Sequence, residues 1–128
     1  MLHLRRVLLL CATIALAACS TPGPDFTPAP GAGTFPPTQF VDLLDSAPAR
    51  PHVEIGTIDM PGEPGALRTQ VLAQIRTRAQ QVGADAVILK DRSYPAPASQ
   101  RLDPTTGKME NIGGQMIPAF TGVAIRYK

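Results

Sequence analysis

The sequence predicts an α+β fold in which the elements run strand, helix, strand, strand, with one helix over one face of the sheet and a projecting hairpin. Three patterns predict it. Leu67, Val71, Ile75, Ala79 and Val82 recur at helical spacing and form one apolar face. Thr121, Val123, Ile125 and Tyr127 alternate with Gly122, Ala124 and Arg126, the two-residue period of a strand. Between Arg92 and Pro118 a long polar stretch centres on Asp103-Pro104-Thr105-Thr106-Gly107-Lys108, whose Pro and Gly suit the turn of a hairpin.

Along the chain, residues 20–50 come first, with seven prolines and three glycines. Proline removes a backbone donor and fixes φ, so this stretch reads as an extended tether. Gln39 to Leu44 interrupts it with Phe40, Leu43 and Leu44, a short first strand or docking segment. His52 to Met60 is the first full strand. Its alternation carries a fault, because Val53 and Ile55 fall on one face while Ile58 and Met60 fall on the other. A bulge at Gly56 would bring all four together.

Pro61 to Pro64 then makes a turn, with Pro64 suited to the first turn of the helix and Glu63 to its positive end. Gly83 follows the last apolar position and supplies the left-handed residue that stops a helix. Ala84 to Asp91 is a strand apolar on both faces, and Gly113-Gly114 and Pro118 bend the return arm of the hairpin. The helix stripe is expected to pack on Val123 and Ile125. Val87 and Leu89 are expected on the sheet face that the helix leaves open, to be met by the N-terminal segment, the hairpin or another subunit.

The N-terminus carries an address. Arg5 and Arg6 precede the apolar run Val7 to Leu16, too short to span a bilayer, and Leu16-Ala17-Ala18-Cys19 closes it. This closing motif resembles a bacterial lipobox, which implies cleavage before Cys19 and acylation of its thiol. In lipoproteins of that kind an aspartate after the cysteine retains the protein in the inner membrane. Ser20 in that place implies the outer membrane, with the chain facing the periplasm. The expected organisation is therefore a signal over residues 1–18, a lipidated cysteine and proline-rich linker over 19–50, and a small domain over 51–128.

Composition narrows the function. Arg5 and Arg6 account for the whole formal excess of +2, so the mature chain balances ten basic against ten acidic residues, and nucleic acid is not an expected partner. Cys11 leaves with the signal and Cys19 is blocked, which excludes a disulfide within the mature chain. With no Trp and four Phe in the chain, aliphatic side chains must build the core.

The helix ending in Val82-Gly83-Ala84-Asp85-Ala86-Val87-Ile88 and the strand Thr121-Gly122-Val123-Ala124-Ile125 resemble the small β-α-β-β domains of the dodecin-like class. Among exported proteins they are similar to the stress-sensing lipoproteins of the Rcs type and their relatives. The resemblance implies an antiparallel three-stranded sheet, the last strand in the middle, under one helix. It departs from the Rcs type in having no cysteine in the folded domain, where those proteins carry disulfides.

Candidate sites are few. His52 is the one histidine of the mature chain and stands at a strand start, which reads as a surface position. Asp59, Asp85 and Asp91 lie near strand ends, where they could meet on a hard cation or simply be solvated. Arg68, Arg76 and Arg78 give the helix a basic character suited either to anionic headgroups or to water. No catalytic residues, cofactor or metal are expected, and Cys19 is the one assigned site, for lipidation. The expected function is a non-catalytic, lipid-anchored binding domain of the cell envelope, held in the membrane through Cys19 and contacting an envelope protein, with an envelope-stress role implied by the resemblance. The alternatives are a structural homo-oligomer and, further off, an envelope hydrolase.

Overall fold

The protein, seen in a computed structural model that describes residues 23–128, is built on one five-stranded mixed sheet. Its strands are β1 (Asp25–Pro28), β2 (Asp42–Leu44), β3 (His52–Met60), β4 (Ala86–Asp91) and β9 (Phe120–Tyr127), in the spatial order β1-β3-β9-β4-β2. The single helix among the described residues, α1 (Arg68–Gln81), joins β3 to β4. Between β4 and β9 stand two small ladders, β5 (Tyr94–Pro95) with β8 (Met116–Ile117) and β6 (Ser99–Leu102) with β7 (Met109–Ile112).

The three-stranded antiparallel sheet under one helix is therefore not the fold. β9 does run antiparallel between β3 and β4. The sheet continues on both sides, with β1 antiparallel to β3 and β2 parallel to β4. β1 comes from the proline-rich stretch expected to hang as a tether, and β2 from the segment 39–44 expected as a short first strand or docking segment. The reason is edge chemistry: a bare edge of β3 or β4 would present unpaired N–H and C=O groups, and short strands carrying proline can cover an edge without continuing the sheet. β2 also seats Val41, which is buried, whereas Phe40 is 84% exposed and does not pack.

The helix begins later than Pro64 suggests. Gly65 takes a left-handed φ of 83°, which no helical residue can hold, and Ala66 N–H closes a turn onto Glu63. Leu67 becomes the N-cap, with no side-chain cap, and is 59% exposed instead of joining the stripe. Val71, Ile75 and Ala79 are the buried face. Gly83, at φ 82°, ends the helix as expected: its N–H bonds to Gln80 O and that of Ala84 to Ala79 O, the paired bonds of a Schellman motif. A side chain at Gly83 would also strike Phe35 and Pro36, each 2.6 Å away, so the same residue stops the helix and receives the N-terminal segment.

β3 carries its bulge at Ile55, where the pairing with β9 slips between Glu54 and Gly56. The extra residue turns Ile55 into the core beside Ile58 and Met60, while Val53 stays 41% exposed. On β9 the helix meets Phe120 and Ala124, and Val87 of β4 stands with them. Val123 and Ile125 lie on the other face, and so does Ile88, while Val87 and Leu89 lie on the helix side. Close approach explains this reversal: a Cβ at Gly122 would lie 2.4 Å from Val87 Cγ1, so the central strand is small where the core is tightest.

The second face is crossed by the chain itself. Leu44 is level with Ile88 and Val123, while His52 pairs with Tyr127 four residues further along β9. Residues 45–51 must therefore return diagonally over roughly 20 Å of sheet with about 26 Å of extended chain available. The helix occupies one face, which leaves the other. A line between the two ends passes over Ala86 and Ile125, both 0% exposed, and Arg50 stacks on the Tyr127 ring at 4.3 Å.

Candidate functional site

The stretch between β4 and β9 forms the most exposed apolar surface. β5 and β8 extend from the Asp91 and Phe120 end of the sheet, the chains separate around Gly113 and Gly114, and β6 and β7 form the outer arm. Ser99 pairs with Ile112 and Leu102 with Met109. The turn is closed by Asp103 N–H to Lys108 O at 2.9 Å. Asp103 also accepts Thr105 N–H and the Thr106 hydroxyl, each at 2.8 Å, and these bonds hold its carboxyl below the usual carboxylate range. The expected hairpin tip at 103–108 is thus preorganised by its own side chains.

Its arms are not polar throughout. Among the described residues, eight large apolar side chains are exposed, and six of them are Leu67, Tyr94, Leu102, Met109, Ile112 and Met116, all on the hairpin or at its base. Apolar exposure is thus gathered at one end rather than scattered, as an interaction surface requires. At the base lies a cleft of about 740 Å³ between the start of α1 and β8, walled by Leu67 and Met116. Arg68 and Asp91 face each other across its floor at 2.6 Å, and Arg68 also lies 4.7 Å over the Phe120 ring. Asp91 is lowered to about 2 by hydrogen bonds from Ser93 and then from Arg68. The two charges neutralise each other, so the cleft offers an apolar wall and shape rather than a net charge.

The three aspartates do not meet. Asp59 accepts the Thr121 hydroxyl at 2.9 Å with Arg92 3.8 Å away, on the face turned from the helix. Asp91 stands on the helix face, and Asp85 at the opposite end of β4 accepts Tyr127 N–H at 2.9 Å. Strand alternation and strand length separate them, and no His, Cys, Asp and Glu cluster of metal-binding geometry exists among the described residues. His52 donates from Nδ1 to Arg50 O at 2.8 Å, at the far end of the sheet from the cleft. The Ser93 hydroxyl accepts Ala119 N–H at 3.3 Å. Of the helix arginines, Arg68 is spent on Asp91, Arg76 is exposed, and Arg78 reaches Gln81 Oε1 at 3.3 Å. Cys19 lies outside the described residues.

The apolar hairpin arms went unread in the sequence because Leu102, Met109 and Ile112 sit in a stretch whose average is polar. Leu102 and Met109 immediately flank the turn segment 103–108, which is the signal that could have paired them. Comparison with protein-family models, curated proteins and solved structures finds no match to this chain.

Proposed function

We propose that this chain is a non-catalytic, lipid-anchored domain of the bacterial outer membrane that faces the periplasm and binds another envelope component through its hairpin end. The gathering of Leu102, Met109 and Ile112 on one projecting arm, with Met116 at its base, is the observation that carries the binding half. The motif Leu16-Ala17-Ala18-Cys19 with Ser20 behind it supports the anchor and the membrane. Two or more acyl chains give stable attachment where a single chain does not, and lipoprotein acylation supplies them.

Palmitate labelling and membrane fractionation test the anchor. The native protein takes up label and bands with the outer membrane; a Cys19→Ala protein that still labels, or a native protein that bands with the inner membrane, sinks the assignment. A photo-crosslinker at Leu102 or Met109 in cells tests the surface. An adduct with another envelope protein supports the reading, and an adduct only with a second copy turns it into the homo-oligomer alternative. Crosslinks that survive replacement of residues 103–108 but vanish when Arg68, Arg76 and Arg78 become Gln would move binding to the helix.

A further inference from the structure

The hairpin treats its two edges differently. Its first arm, residues 92–102, carries Arg92, Pro95, Pro97 and Arg101. Ala96 N–H donates inward to Gln115 O, so by alternation the backbone of Pro95 faces outward, where its ring leaves no donor for another strand. The second arm, residues 109–117, has no proline and a single charge, Glu110. Proline and charge are what keep an exposed edge from pairing, so one edge of this hairpin is closed and the other is open. Met109, Ile112 and Met116, all exposed, stand on the open arm.

Backbone geometry defines what the open edge accepts. Asp103 N–H bonds to Lys108 O across the turn, so by alternation along the ladder Arg101 with Glu110 and Ser99 with Ile112 are the hydrogen-bonded pairs. The N–H and C=O groups of Met109 and Asn111 therefore point away from β6, and among the described residues no strand pairs with β7 on that side. Outward groups at every second residue match the backbone of an extended chain. A second copy fits poorly, because the symmetric antiparallel pairing that uses both outward residues of each copy sets the two Glu110 side chains directly against each other. We infer that the free edge of β7 takes up an extended segment of another protein as an added strand, with Lys or Arg opposite Glu110 and apolar residues opposite Met109 and Ile112. The inference rests on the proposed binding at the hairpin and names the form of its partner.

The in-cell photo-crosslink from Leu102 gives the first readout. Asn111→Pro removes an outward donor on the open edge and Gln100→Pro the equivalent donor on the closed edge, and both leave the bonds within the hairpin in place. The adduct with the envelope partner should fall about tenfold in Asn111→Pro, the effect of one lost backbone hydrogen bond, and stay near native in Gln100→Pro and Asn111→Ala. Equal loss in Gln100→Pro, or no loss in Asn111→Pro, overturns strand addition and leaves binding at the hairpin standing. An adduct only with a second copy, or none in native protein, removes the binding reading and the inference with it. The peptide Thr-Val-Thr-Lys-Val-Thr then serves as a defined partner for the full Cys19→Ala chain. Amide hydrogen exchange should slow several-fold at Met109 and Asn111 and not at Gln100 or Leu102, and a peptide with Glu in place of Lys should bind more weakly. Protection at Gln100 and Leu102 instead, or none with millimolar peptide, overturns the assignment of the edge.

Discussion

Asp91 shows how much one surface group can gather. Its carboxylate accepts Arg68 Nη1 at 2.6 Å and Ser93 N–H at 2.8 Å, and it is held at about 2, below the 3.8 of a free aspartate. A depressed carboxylate contributes stability that is present above about pH 4 and disappears as pH falls toward 2. Both side chains of the ion pair are about half exposed, at 57% and 46%, so solvent screening limits the contribution to about 0.2 to 1 kcal/mol. Urea unfolding of Asp91→Asn should show that small loss at pH 7 and a narrowing gap from native between pH 4 and pH 2. A gap that widens on acidification would mean that Asp91 is not the stabilised anion. The pair also closes the floor of the cleft, so the residue that steadies the start of α1 against β4 is the one that removes net charge from the candidate surface.

At the scale of elements, the helix and the hairpin behave oppositely. α1 is held by Val71, Ile75 and Ala79 over Ile58, Val87, Phe120 and Ala124, a wholly buried stripe on the small-residue track of β9. Ile75→Ala should cost about 2 to 5 kcal/mol in denaturant unfolding, from lost transfer energy and the cavity left behind. A loss under about 0.5 kcal/mol would place Ile75 outside the core. The outer hairpin buries nothing: every residue of β6 and β7 is exposed. Replacing residues 103–108 by an Asn-Gly turn should leave the thermal midpoint nearly unchanged, and collapse of the fold would show that the tip supports the sheet. A segment with no part in stability is free to be shaped by what it binds.

For the whole molecule, the decisive feature is that residues 25–51 belong to the fold. They cover both edges of the sheet through β1 and β2, place Phe26 against Gly56 and Val41 in the core, and stack Arg50 on the Tyr127 ring. A chain beginning at residue 51 loses all of these and leaves two open edges. Its thermal midpoint should fall well below that of a chain beginning at residue 20, with self-association in sedimentation. Equal stability of the two would show that the N-terminal strands are ornament.

Local spacing determined a good part of this protein. The helix stripe apart from Leu67, its stop at Gly83, the strand His52–Met60, the strand expected over 84–91 and found over Ala86–Asp91, and the turn at 103–108 follow from apolar patterning and from single residues with special φ, all of which act within a few positions of the chain. Tertiary structure alone decided which face of β9 is the core. The sequence alternation favours Val123 and Ile125, but the helix packs where Gly122 and Ala124 let Val87 come close. It decided as well that part of the proline-rich stretch, Asp25–Pro28, becomes an edge strand and that Asp42–Leu44 pairs with β4, because edge pairing is set by the open hydrogen bonds of distant strands and leaves no period in the segment that satisfies them.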